Sequence, residues 1–449
     1  MTLPALPAFA SPSVRREVAA NRPRTLGRPN TPWTTAFFLL LMVGIAACGG
    51  DGPATGAEPV VRDSAGIRIV ENPATGSWSD GDQWTLEEEL RIGVSSGDPE
   101  LQFGSIVGVD ADGEGRIVVL DAQARRVRVF DAEGTLITAF GRTGGGPGEL
   151  SQGLLQPPSG LFVDSEGQVA IPDLGNQRLA RFDLDGEALE SPSLALEEGL
   201  PMVWTRSDDR SIYQQVRRMN MTGGNPLDGI SDDIVRLDAG AGTGETVLTL
   251  PAGESVSMGA GGMPEIRIFA PEPVWIVLGD GRLVTGLSSE YSLAIQDSEG
   301  ATRAIVRRDV ERRPVSDRDE QTLMDVFRTA WEEQAQVPPE MISMLMEAIQ
   351  FEEYWPAVAR LMSGPDQTLW VQRVEPQAAM GDLTAEALQA GDIGSRFWDV
   401  FNDQGEYLGV VELPERFTPF RFVGEALYGV TRDDLEVQRV MRLRLVRGG

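Results

Sequence analysis

The chain repeats itself at a fixed distance, and this constrains its fold more than any other feature. Ile117-Val118-Val119-Leu120-Asp121 leads to Phe130-Asp131 and then Glu133-Gly134. Val169-Ala170-Ile171-Pro172-Asp173 leads in the same way to Phe182-Asp183 and then Asp185-Gly186, an offset of 52 residues throughout. Arg126 falls on Arg178 at the same offset. Each unit reads as a short apolar strand, an Asp/Gly turn and two further alternating strands. Asp-Gly between alternating apolar runs is a hairpin signal. A long, fixed period of units built only of strands predicts a β-propeller.

Two landmarks count the units. The inner one, two strands around a polar turn, occurs at Val109–Gly113, Val163–Gly167 and Leu278–Gly281. It recurs with weaker turns near Trp204–Ser207, Met362–Gly364 and Phe422–Gly424. The outer one occurs at Phe130-Asp131, Phe182-Asp183, Leu237-Asp238, Gln296-Asp297 and Phe401-Asn402. The sixth unit reaches Val437–Val446 and stops one strand short, while Leu86–Val94 is a spare strand ahead of the first. Lending that strand to the last blade closes the ring and removes an exposed edge. The fold class predicted is therefore all-β, a six-bladed propeller over residues 66–449. Seven is the alternative count, because units three and five are degenerate.

Phe140-Gly141-Arg142-Thr143-Gly144-Gly145-Gly146-Pro147-Gly148-Glu149-Leu150 is followed by Pro158, Gly160, Val163-Asp164, Gly167, Asp173, Asn176, Arg178 and Phe182-Asp183. This stretch resembles an NHL repeat, in particular the six-bladed propellers of bacterial envelope lipoproteins. The match runs from about Phe103 to Leu196 and returns at Phe397–Gly405 and Leu408–Pro414. The resemblance implies a fold. NHL propellers serve many unrelated roles, so it implies no function.

One insertion, residues 315–354, breaks the period. Ser316 stands three residues before Asp319, a capping arrangement. Leu323, Val326, Phe327, Ala330 and Trp331 then follow helical spacing, and Pro338-Pro339 ends the helix. A second helix is predicted from Glu340 to Tyr354, with Ile342, Leu345, Met346 and Ile349 apolar. Such a hairpin either packs on the propeller or, with its Met-rich face, serves as a lid or docking surface.

The first segment reads as an address. Five arginines precede residue 32, and an uncharged run from Ala36 to Ala47 follows. Twelve residues are too few for a spanning helix and fit the apolar core of a secretory signal. Ile45-Ala46-Ala47-Cys48 resembles a bacterial lipobox, and Cys48 is the single cysteine of the chain. The resemblance implies a signal peptide at 1–47, acylation of Cys48 and a flexible tether over 48–65. It implies a protein anchored in the bacterial cell envelope through the lipid bilayer without spanning it, and Gly49 after the cysteine, where a retention signal would have Asp, favours the outer membrane.

The chain has 39 Arg and neither Lys nor His against 68 acids, a net charge of −29. A His-based triad, a His-built zinc site, a Walker loop and a Schiff-base lysine are thereby excluded. Nucleic acid is a poor partner for such a charge. Gly141–Gly148 is glycine-rich, but no lysine and no helix follow it, so it reads as a blade-to-blade turn. Asp110, Asp112 and Glu114 cluster as in a calcium loop, yet Asp121 stands where that loop needs its Glu, which favours a hairpin turn. Asp173, Asn176 and Arg178, matched by Asp121 and Arg126, read as a structural bond in which the Asp accepts turn amides and the Arg spans blades.

No catalytic set and no metal site can be assigned, and no cofactor is expected, with calcium the one candidate ion. The leading expectation is a non-enzymatic module binding a small molecule or a protein on one propeller face. A calcium-dependent propeller hydrolase or lactonase is one alternative. An accessory subunit of an outer-membrane uptake or assembly system is the other.

Overall fold

The computed structural model describes residues 58–448 apart from 153–159, 165, 195–198, 220–228, 239–242, 259–263, 334–337 and 375–393. Residues 1–47 and Cys48 lie outside the described residues. Three strands precede the first blade: β1 (Val60–Ser64), β2 (Ile67–Asn72) and β3 (Thr85–Ile92). Blade 1 is β4 (Ile106–Ala111), β5 (Ile117–Asp121), β6 (Arg126–Phe130) and β7 (Leu136–Phe140), in that order from the axis outward. Blade 2 is β8 (Phe162–Val163), β9 (Val169–Asp173) and β10 (Arg178–Phe182), with Ala188 and Ser193 bridging to its outer edge.

Blade 3 is β11 (Leu200–Arg206), β12 (Ile212–Arg218), β13 (Ser231–Leu237) and β14 (Gly244–Pro251). Two short strands, β15 (Val256–Met258) and β16 (Pro264–Ile268), lead to blade 4: β17 (Pro273–Val277), β18 (Leu283–Leu287), β19 (Ser292–Gln296) and β20 (Thr302–Arg308). After helices α1 (Asp317–Glu333) and α2 (Pro339–Glu347) and strand β21 (Ile349–Phe351) comes blade 5. It consists of β22 (Val358–Ser363), β23 (Leu369–Arg373), β24 (Phe397–Phe401) and β25 (Tyr407–Glu412). Blade 6 is β26 (Phe417–Val423), β27 (Ala426–Arg432) and β28 (Gln438–Val446), completed by β3, which pairs antiparallel with β28 from Val446↔Thr85 to Val440↔Ile92. The protein is an all-β, six-bladed propeller closed by its own N-terminal strand, and seven blades are ruled out.

The core confirms the count from packing. The buried side chains form six clusters, one at each contact between neighbouring blades. Val118, Leu120, Val163 and Ile171 join blades 1 and 2, whereas Ile92, Val109, Tyr428 and Val440 join blades 6 and 1 across the closure. Sheets stacked face to face in this way bury both faces of most strands, which is why the middle strands are apolar without alternation.

The Asp/Gly turns explain the spacing. Asp131, Asp183, Asp297 and Asn402 each accept, through one side-chain oxygen, the backbone N–H groups two and four residues on. Asp112 and Asp164 do the same in the first turns of blades 1 and 2. Three residues after each comes a glycine in the left-handed region, with φ between 75° at Gly167 and 93° at Gly186. An L side chain is strained there, so the Asp-x-x-Gly pattern is the turn itself.

Two expectations need correcting. The tether does not run to residue 65: β1 and β2 form a strap on blade 4, where β2 lies parallel to β20 from Arg68↔Ala304 to Asn72↔Arg308. That blade therefore has six strands. The strap then crosses blade 5, where Ser77 and Trp78 donate to the Tyr407 and Leu408 carbonyls. The second helix is also shorter than its apolar spacing suggests. It ends at Glu347 because Ile349–Phe351 is drawn into parallel pairing with β16. The cap at α1 forms as read, with Ser316 N–H donating to Asp319 and Asp319 N–H to Ser316 Oγ. Leu323 and Trp331 are buried, and Pro314 bridges Tyr354 at the neck of the insertion.

Candidate functional site

The first-to-second turns, and the third-to-fourth turns of blades 1 to 5, share one face of the ring, called here the turn face. The second-to-third links and the blade-to-blade connections share the other, the loop face. On the loop face, Asp121 accepts the N–H groups of Gly104, Ser105, Gln123 and Ala124 and pairs with Arg128 at 3.1 Å. Asp173 accepts Ser151 N–H and the Asn176 amide. Arg126 reaches Glu100 in the link from blade 6, and Arg178 reaches the Gly146 and Glu149 carbonyls in the link from blade 1. Asn176 also donates to Gly144 O. These residues are latches between blades, and Gly141–Gly148 is the connection they hold. In blade 3 the charges are exchanged: Arg217 on β12 grips the buried Asp232 on β13 with two bonds of 2.8 Å.

Asp110 and Asp112 do not converge. Asp112 caps its turn and pairs with Arg116, and Glu114 points to solvent. Asp110, wholly buried at the end of the inner strand β4, turns to the axis instead. There Arg206 of blade 3 grips it with bonds of 2.8 and 2.7 Å, and Arg421 of blade 6 reaches it at 3.2 Å. Val163 N–H of blade 2 completes the shell at 2.9 Å. Arg210, in the first turn of blade 3, ties the carbonyls of Val163 and Ala111. Burial by itself would raise the Asp110 pKa, but the two guanidiniums and these bonds overcome it and hold the carboxyl at about 2. Burial acts the other way on Arg421. Even with Asp110 beside it, desolvation and the repulsion of Arg206 and Arg210 bring it down to about 10.

Next to this cluster lies a cavity of about 270 Å³, walled by the inner strands of blades 3 to 6. Its aromatic and aliphatic walls include Trp204, Trp275, Phe420, Phe422 and Leu361. Arg206, Arg360 and Arg421 supply positive charge and Asp208 one negative charge. Trp275 Nε1–H donates to Gln215 Oε1 in the same wall. Arg206, Arg360 and Arg421 do not stand out as a site from the repeat pattern. The signal was there: each is a lone charge in an inner strand that is otherwise apolar, as in Thr418-Pro419-Phe420-Arg421-Phe422.

A second cavity, of about 260 Å³, opens on the loop face between blades 4 and 5. Its floor is a cage around the wholly buried Asp399. Arg373 and Tyr407 donate to one oxygen, at 2.8 and 2.9 Å, and Arg308 and Tyr291 to the other, at 2.8 and 2.7 Å. Burial, followed by the Asp399 charge, pushes the Tyr407 phenol up to about 12 and Tyr291 well above its ordinary range, so both stay neutral donors. Arg308 also reaches Ala74 O of the strap, so the cage fastens the N-terminal segment. The rim carries Asp309 and Glu311 against Arg312 and Arg313. Among the described residues no three acids or cysteines gather closely enough to share a metal ion.

A family model described as a 6-bladed beta-propeller matches residues 100–222, the region of the repeat. No curated protein matches. Among solved structures, a Bacteroides fragilis protein is 10% identical and covers 84% of this chain and 100% of its own, with a TM-score of 0.46. Virginiamycin B lyase of Staphylococcus aureus is 11% identical, with 81% and 100% covered and a TM-score of 0.40. The calcium-binding protein regucalcin of Agrobacterium tumefaciens is 11% identical, with 81% and 97% covered and a TM-score of 0.39. Likenesses at this level do not bear on the site or its chemistry.

Proposed function

We propose that this protein is a non-enzymatic binding propeller, anchored in the bacterial envelope through Cys48, whose ligand is a small molecule held in the axial cavity. The observation that carries the reading is the make-up of that cavity. Apolar walls from four blades, aromatic in three of them, enclose a few convergent polar groups, which is the usual constitution of a small-molecule site. Its volume of about 270 Å³ exceeds the ~150 Å³ of an apolar cavity that takes up benzene, enough for a small organic molecule. The basic stretch, apolar run and lone cysteine support the anchor, and acidic downstream sequence suits a soluble domain beside a membrane.

The test is ligand-observed NMR with a mixture of small organic molecules on the soluble domain and on Ala359→Phe, which fills the cavity from β22. Binders to the parent chain should lose their signal with the variant. Binding indifferent to the filled cavity, or turnover of a bound compound, would refute the reading. The anchor is tested apart from this: Cys48→Ser should move the protein from the membrane to the soluble fraction, and an unchanged distribution refutes it.

A further inference from the structure

The charge around the axial cavity runs against that of the chain. A protein of net charge −29 places Arg206, Arg360 and Arg421 on this wall, with Arg210 beside them. Arg206 is provided for: it holds Asp110 with two bonds and donates to Ser207 O. Arg421 is not. Among the described residues its one ion-pair partner is Asp110, shared with Arg206, and its Nε–H has no acceptor in the protein. Its guanidinium carbon lies over the Phe162 ring, 5.0 Å from the centroid, a cation–π contact. A buried cation with half a counter-charge is costly, and a further anion beside it relieves that cost.

Building on the reading of the cavity as a ligand site, we infer that its ligand is a small organic monoanion, a carboxylate on an apolar body. The carboxylate sits against Arg421 and Arg360, and the body lies among Trp204, Trp275, Phe420 and Leu361. Three observations select this class. The side of the cavity formed by Trp204, Trp275, Phe420 and Leu361 offers no partner for the further charges of a multiply charged metabolite. The guanidiniums exclude a cation. The strongly negative exterior repels polyanions at long range while leaving a single charge to be captured locally.

The test compares phenylacetate, benzoate and hexanoate with their neutral amides, measuring affinities by titration NMR on the soluble domain. The acids should bind about ten-fold or more tightly than the amides, a difference of ~1.4 kcal/mol. Arg421→Met should abolish the preference, and Arg421→Lys should restore part of it. Should Arg421→Met fail to fold, Asp110→Asn is informative, since removing the competing carboxylate should tighten the acids and leave the amides unchanged. Equal affinity of acids and amides, both lost on filling the cavity with Ala359→Phe, overturns the carboxylate assignment and leaves the cavity as a binding site. A preference that survives Arg421→Met also overturns it. No binding by either series overturns both readings.

Discussion

Asp110 and Asp399 are both wholly buried carboxylates that hold two arginines apiece, and comparing them separates a site from a latch. Around Asp399 the donors are two guanidiniums and two phenols, and the terminal nitrogens go on to further protein acceptors: Arg308 to Ala74 O and Arg373 to Tyr407 Oη. Among the described residues both clusters leave one Nε–H without an acceptor, at Arg308 and at Arg421. The difference lies beyond that atom. The Asp399 cage joins blade 4, blade 5 and the strap below an open rim of mixed charges. The Asp110 cluster joins four blades at the axis and leaves Arg421 facing an apolar-walled cavity. The same unit fastens the fold where both of its arginines bond onward to protein acceptors, and offers a charge to a ligand where one of them does not.

Removing either carboxylate should have the largest effect. Asp110→Asn and Asp399→Asn each strand two arginines, Arg206 and Arg421 or Arg308 and the half-buried Arg373, and denaturant titration should show a loss of about 3–5 kcal/mol. Saturating phenylacetate should recover part of the loss in Asp110→Asn and none beyond the parent response in Asp399→Asn. Equal recovery in both would erase the distinction.

The acid limb of stability should be smaller and specific. The folded Asp110 pKa, at about 2, is below its unfolded value near 4, so its contribution is complete above pH ~4 and disappears as pH falls through 2. That contribution is ~2 kcal/mol. Asp110→Asn should therefore show a flatter decline between pH 4 and 2 than the parent, and an identical decline would contradict the ion-pair account.

The smallest effect concerns the turns. Asp131→Ala removes the acceptor of two exposed N–H groups. A loss of about 1 kcal/mol is expected, the same with and without calcium. A calcium-dependent loss would restore a metal reading for the Asp/Gly turns.

Much of the ring was legible because its repeat is local. The offset between Asp121 and Asp173, Gly115 and Gly167, and Gly134 and Gly186 marks turns whose backbone geometry recurs; even Arg125 and Gln177, at the same offset, share a positive φ of 54° and 55°. The closure was legible as one strand too many at the start and one too few at the end. The strap was not, because Ile69 pairs with Ile305 across most of the chain, outside any period. The loop-face latch of blade 3 escaped for another reason: Arg217 and Asp232 exchange the charges of Asp173 and Arg178 between strands, keeping the bond and losing the pattern. The axial arginines escaped because one charge in an apolar strand looks like noise until the ring brings three such strands together.

The most direct test of the account is a crystal of the soluble domain soaked with bromophenylacetate, located by the anomalous signal of bromine. The account predicts one principal bromine site among Trp204, Trp275 and Phe420, with the carboxylate at Arg421. A bromine site over Tyr291 and Arg313 on the loop face, with none at the axis, would contradict it.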